Sequence, residues 1–304
     1  MFEKLRNSWE LVKASARVLD ADKELLIFPL ISGILTLLVS LTFFIPLVIS
    51  GFVDNALFGN AQVTGLFVLF VFYLVQYTAI FFMNTALVGA ALIRLRGGDP
   101  TFKDGLQIAF ARFGAVVGYA LIAATVGVVL KLASQRNRGL GRWIVSLLGL
   151  AWNLATFLVV PVLATENVGP IEAIKRSTAL LKRTWGEQIV GNVGLGVVFS
   201  LAGVLITLAV IPLALIGFQF PQPGWFLVPL IIAYLLLLVL LSLLQSTLSG
   251  IYTAALYQYA TTHEPGPLIP RLSIMPSYPP NEMFHSEILS SQIRNTHLKT
   301  CGCF

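Results

Sequence analysis

Charge is scarce in this chain of 304 residues: Asp, Glu, Lys and Arg make up 11% of it, against about a quarter in an ordinary soluble chain, while 57% is hydrophobic. With a mean hydropathy of +0.84 and several apolar runs of about twenty residues or more, the chain belongs in a bilayer rather than around a water-soluble core. Histidine and cysteine are scarcer still. His263, His285 and His297 all fall in the C-terminal stretch, which excludes a metal cluster or a histidine acid/base pair within the apolar runs. Cys301 and Cys303 stand together near the end, so there is no disulfide framework and no thiolate metal cluster. Phosphate loop, nucleophile elbow and dinucleotide fingerprint are all missing. Of the 14 acidic residues only Asp54 falls on the outer side of the expected topology, and the rest flank helices, where capping and ion pairing are their ordinary work. The expectation is a protein that is not an enzyme and holds no cofactor.

Six apolar runs are present, at Leu25 to Ser50, Val63 to Ile93, Gly114 to Leu130, Trp143 to Ala164, Ile189 to Gly217 and Phe226 to Gly250. The third, at about 17 residues, is near the lower limit for crossing a hydrocarbon core of about 30 Å. With the N-terminus inside, the cytoplasmic segments hold 5, 4, 4 and 3 Lys and Arg and the outer ones 0, 4 and 0. That asymmetry places both termini in the cytoplasm and the protein in a cytoplasmic (inner) membrane. The four exceptions, Lys131, Arg136, Arg138 and Arg142, lie between the third and fourth runs. A re-entrant hairpin over residues 114–164 would bring all 20 cations inside, but the fourth run is long enough to favour six full spans. The net charge of +6 sits in short segments beside run ends, where it meets anionic headgroups rather than nucleic acid. Nothing titratable lies within the five clearest runs, which argues against a proton-driven transporter, though not against sodium coupling through carbonyls and hydroxyls. The first run lacks a small-residue cleavage site and reads as a retained span.

Each hairpin is preceded by a polar segment that reads as a cytoplasmic-side amphipathic helix. The first has an apolar stripe of Phe2, Leu5, Trp9, Val12, Ala16 and Leu19, with Lys13 and Arg17 off it. Asp99 and Pro100 are expected to cap and open the second, whose stripe is Leu106, Phe110 and Phe113. The third opens at Pro170 with the stripe Ile171, Ile174, Thr178, Leu181 and Trp185, and its basic pairs Lys175/Arg176 and Lys182/Arg183 stack on one side. Such helices either lie in the headgroup plane with cations toward anionic lipid or pack on the ends of the bundle. A shift of 169 residues aligns Ser8, Leu11 and Lys13 with Ser177, Leu180 and Lys182, and Ala86, Leu87 and Ala91 with Ala255, Leu256 and Ala260. This suggests an internal parallel repeat of amphipathic helix plus hairpin. From His263 onward six prolines and the loss of any period mark a tail. The chain therefore divides into a membrane domain, 1–262, and a proline-rich, disordered cytoplasmic tail, 263–304.

Five carboxamides remain within the spans: Gln76, Asn84, Asn153, Asn192 and Gln245. They either line a polar cavity open to the cytoplasm or hydrogen-bond between helices, worth roughly 0.6 to 2 kcal/mol each. Gly114 with Gly118, and Gly196 with Ser200 and Gly203, offer small faces for close helix packing. Pro46, Pro161 and Pro212 lie toward run ends, where no hinge is indicated.

The stretches SWELVKAS from Ser8, DKELLIFPLISG from Asp22, NTALVGAALIRLRGGDPTFKDGL from Asn84, IKRSTALLKRTWGEQ from Ile174 and ALYQYA from Ala255 carry a resemblance. Over residues 1–262 the chain resembles an uncharacterised family of prokaryotic six-span membrane proteins, a domain of unknown function. It is distantly similar to the membrane domain attached to some glycerophosphodiester phosphodiesterases. The resemblance implies an inner-membrane location and transfers no catalytic or binding residue. The expected fold is an all-α polytopic bundle of six transmembrane helices with three cytoplasmic-side amphipathic helices. The expected role is that of a non-enzymatic structural or lipid-interacting component. Its partner is the lipid bilayer, met by Trp9, Lys13, Arg17, Lys175, Arg176, Lys182, Arg183 and Trp185 at anionic headgroups. The alternative is a transporter or lipid-handling permease with a cytoplasm-facing polar cavity.

Overall fold

The computed structural model describes residues 12–13, 15–49, 62–136, 140–217 and 224–262, and among these there is no strand. Residues 15–21 are helical and lead through a tight turn, Lys23–Leu26, into α1, Ile27–Ile49. The helices that follow are α2 (Gln62–Leu95), α3 (Phe102–Ala111), α4 (Phe113–Arg136), α5 (Leu140–Ala155), α6 (Val159–Thr165), α7 (Pro170–Gly217) and α8 (Gly224–Thr262). Six stretches are long and apolar enough to cross a membrane: Lys23–Val48, Thr64–Leu95, Phe113–Gln135, Trp143–Thr165, Gly194–Gly217 and Gly224–Thr261. The fold is the all-α polytopic bundle that hydropathy predicts. Trp9 and the whole tail, 263–304, lie outside the described residues.

Two spans differ from expectation, in opposite directions. The third does not stop near Leu130, because α4 runs on for 24 residues, about 36 Å. Lys131 continues that helix with its ammonium 6.0 Å from the ring centre of Tyr73 on α2, a cation–π distance. The fourth run, unremarkable in length, is broken at Thr156–Leu158 between α5 and α6. Pro161 accounts for the break. It has no N–H to bond the Phe157 carbonyl four residues back, and its ring crowds that carbonyl. By contrast Pro46 and Pro212 sit inside continuous helices.

Helix α2 is the hub, touching α1, α3, α4, α6 and α8. At 34 and 39 residues, α2 and α8 are about 51 and 58 Å long, well beyond a hydrocarbon core of about 30 Å. The excess length coincides with the core. Ala86, Leu87, Ala91 and Leu95 of α2 are buried with Ile251, Tyr252, Ala255 and Leu256 of α8, Leu158 of the break, Leu163 of α6, and Phe28 of α1. We call this the packed end. Small residues bring the backbones together there: a Cβ on Gly250 would lie 2.5 Å from the Leu87 side chain, and one on Gly105 of α3 2.8 Å from the Ala86 carbonyl oxygen. The small residues expected to do this do less. Gly114 and Gly196 have nothing within 4 Å, Ser200 is exposed, Gly203 meets only Leu241 at 3.7 Å, and Gly118 alone is close to a neighbour, with Pro170 at 2.9 Å.

Away from the packed end, α1, α7 and α8 turn Leu37, Leu205 and Leu236 outward, each 59% exposed. Such an apolar exterior is at home only in lipid.

The amphipathic segments pack on the bundle. Val12, Val18 and Leu19 lie against the core, Ser15 is buried, and Ala16, expected on the stripe, is exposed with Lys13 and Arg17. In α3 the inward residues are Gly105, Leu106, Ile108 and Ala109, while Phe110 and Phe113 remain exposed and meet Phe82 edge-on. Its cap is Thr101 rather than Asp99: the Asp104 N–H donates to Thr101 Oγ1 (3.3 Å) and the Thr101 N–H donates to Asp104 Oδ2 (2.9 Å), a capping box. Asp99 pairs instead with Arg94, whose Nη1 lies 2.9 Å from Asp99 Oδ1 and whose Nε lies 2.9 Å from Asp22 Oδ2. Arg94 thus ties the entry to α1 to the loop between α2 and α3.

Candidate functional site

A helix break in a membrane span must find partners for the backbone groups it frees. Here a side chain from another helix supplies them. Ser177 of α7 is fully buried; its hydroxyl donates to the Ala155 carbonyl at 2.7 Å and accepts from the Leu158 N–H at 3.1 Å, one residue closing both sides of the gap. From the other flank Tyr119 of α4 hydrogen-bonds the Thr156 side chain, which also donates to the Trp152 carbonyl at 2.8 Å. Tyr119 in turn stacks on Phe81 of α2, ring centres 4.5 Å apart. The break is therefore held from two helices, α7 through Ser177 and α4 through Tyr119.

The same geometry opens a groove. Ala155 ends α5, and the first turns of α7 pass antiparallel to α6. Ala151, Leu154 and Ala155 face Thr178, Leu181 and Lys182 across a cavity of about 380 Å³, open along one side. Its walls are almost wholly carbon. Among the described residues Lys182 contributes the one charged group lining it, and the Thr178 hydroxyl is occupied by the Ile174 carbonyl at 2.8 Å.

Toward the packed end, α6 leads into a polar cluster. The Tyr257 hydroxyl of α8 donates to Glu166 Oε1 at 3.0 Å and lies 2.8 Å from Thr165 Oγ1, while Arg176 Nε lies 3.2 Å from Glu166 Oε2. Arg112 reaches the Asn167 side chain in the next loop. Among the described residues no group of three or more His, Cys, Asp or Glu could hold a metal ion.

The sequence-derived candidates are distributed around this framework rather than gathered in it. Gln76 is half-buried with its Oε1 buried and unpartnered; Asn84 and Gln245 are half-buried, and Asn153 is exposed on α5. None of them lines the groove between α5 and α7. Lys13, Arg17, Lys175 and Lys182 are exposed, whereas Arg176 is drawn in by Glu166. Asn192, Arg183 and Trp185 fall on α7 where side chains lie outside the described set. On that helix Ala173, Ser177 and Leu181 are buried and Ile174 packs against the core, so of the expected stripe Leu181 and Ile174 face inward while Ile171 is 63% exposed. Ser177, Tyr119, Glu166 and Tyr257 escaped a reading by residue type, since hydroxyls in spans usually bond their own helix. Pro161 was the one local signal.

Fold and exterior together define a multi-pass all-α membrane protein. The chain belongs to a family of unknown function, DUF6159, whose model matches residues 63–267. That match takes in the hub α2, the broken span and the groove, and leaves α1 outside. No curated protein matches the chain.

Proposed function

We propose that the protein is a non-enzymatic, lipid-interacting component of a prokaryotic inner membrane, with its packed end and both termini on the cytoplasmic side. The observation that carries this reading is how charge is spent at the packed end. Asp22 and Glu166 are held by Arg94 and Arg176 of the same chain, while Arg17, Lys175 and Lys182 stay exposed. Asp20, Glu24 and Glu172 are exposed too, but with Asp22 and Glu166 engaged internally the outward cations of this basic chain suit anionic headgroups, each exposed Lys or Arg adding about 1 kcal/mol near such a surface.

The full-length protein in nanodiscs of zwitterionic lipid, compared with nanodiscs containing anionic lipid, tests it. The thermal midpoint should be higher with anionic lipid, the gain shrinking with added salt and with Arg17→Gln plus Lys175→Gln. Equal midpoints would overturn the reading.

A second reading, a transporter or lipid-handling permease, is favoured by the broken span, since discontinuous helices mark the binding sites of many transporters. On that reading Gln76, whose buried Oε1 lacks a partner, lines the path with Asn84, Asn153, Asn192 and Gln245. Labelling of Gln76→Cys by a membrane-impermeant thiol reagent would support it; protection would remove it.

A further inference from the structure

We infer that the groove between α5 and α7 is a site for one anionic phospholipid, an acyl chain lying along Ala151, Leu154, Ala155 and Leu181 with the phosphate on Lys182. The inference rests on the lipid-interacting reading above and makes it specific to one place.

Three features carry it. First, the cavity has the size and lining of a small-molecule site: about 380 Å³, within the range of roughly 300–1,000 Å³, walled by carbon with one polar group at its edge. Second, the fold itself creates the gap. Pro161 breaks the span, Ser177 fixes the break, and the two alanines stand opposite Thr178 where larger residues would have filled the space. Because Ser177 satisfies the Ala155 carbonyl and the Leu158 N–H, the walls offer a chain few polar groups to desolvate, and dispersion contacts favour filling them. Third, the charge is complementary. Lys182 is exposed at the rim, no carboxylate lines the groove among the described residues, and the acid of the adjoining loop, Glu166, is engaged by Arg176 and Tyr257. A long lysine stem laid along apolar surface with its ammonium at a phosphate is how such side chains behave at headgroup level. The bilayer supplies this amphiphile at high local concentration. A free anion has no use for the apolar walls, and a neutral lipid none for Lys182.

Native mass spectrometry of the full-length protein, extracted from membranes containing phosphatidylglycerol and phosphatidylethanolamine, would count the lipids retained. Wild type should retain one phosphatidylglycerol more persistently than the rest. Ala151→Phe, which fills the groove from an exposed position, and Lys182→Gln, which removes only the charge, should each reduce its occupancy at least several-fold. Lys131→Gln, on α4 beside Tyr73, should leave it unchanged. Phosphatidylglycerol carrying a photoreactive acyl chain should crosslink to the Leu140–Ala155 or Pro170–Lys182 peptides in wild type and not in Ala151→Phe. If wild type retains phosphatidylglycerol selectively and both groove variants keep it in full, the groove assignment falls while the general reading stands. If wild type shows no preference for phosphatidylglycerol over phosphatidylethanolamine, both fall.

Discussion

Ser177 shows what a single hydroxyl decides in a membrane protein. As an α7 residue it has the ordinary option of bonding its own helix, as Thr178 does with Ile174. Instead it closes the gap that Pro161 opens in the neighbouring span. Ser177→Ala should leave a buried N–H and a buried carbonyl without their partner, at a cost of roughly 1–3 kcal/mol. Thr178→Ala should cost less, since it removes only a bond back to its own backbone. Thermal unfolding of the two variants in the same detergent checks the order, and equal midpoints would mean that the break is satisfied some other way. Fully buried between two helices, Ser177 could not be told from an ordinary polar-face serine by the sequence, because its partners are 22 and 19 residues away on an element whose break is not visible in hydropathy. The exposed cations Lys13, Arg17, Lys175 and Lys182 were legible, because charge at the end of an apolar run has few places to go but outward.

At the scale of the element, α3 is held by its capping box and by burial of one face. Hydrogen bonds from Thr101 hold the Asp104 carboxyl below its ordinary value. A depressed carboxylate stabilises the fold above its unfolded value, about 3.9, and that contribution is lost as the pH falls through the lower folded value. Asp22 runs the other way. Burial raises its carboxyl despite the nearby Arg94, so its ionised form is the costly one and protonation relieves that cost as the pH falls. Asp104→Asn should therefore weaken the protection of α3 amides against hydrogen exchange at neutral pH and abolish the acid-side decline expected of wild type; an unchanged profile would show that the cap does not govern the helix end. The amphipathic segments were partly legible in the same terms. The second and third are helical, as is the described part of the first at 15–21, but which side faces the core depended on what stands opposite. α7 buries Ala173 and Ser177 and leaves Ile171 exposed.

For the whole molecule, the pressing quantity is topology. α4 climbs away from the packed end along α2, from Tyr119 beside Phe81, past Gly127, where an added Cβ would lie 3.5 Å from the Tyr77 hydroxyl, to Lys131 over Tyr73. A helix laid antiparallel along a spanning helix for that distance supports six crossings. In a background lacking Cys301 and Cys303, Arg138→Cys should accordingly react with an impermeant thiol reagent only from the side opposite Lys103→Cys. Reaction of both from one side would replace the third and fourth spans by a re-entrant hairpin. By itself the sequence determined that the protein is helical, that it lives in lipid, and roughly where its spans lie. Transfer of some twenty apolar residues into hydrocarbon is a sum over local terms and needs no knowledge of neighbours. Only the tertiary structure decided that the doubtful third run is an unbroken helix and the secure fourth one is not, that the tight packing gathers at one end, and that a groove opens beside the break. Those outcomes depend on pairs of residues far apart in the chain, on whether a freed backbone group meets a hydroxyl and whether two backbones are small enough to touch, and no local pattern records them.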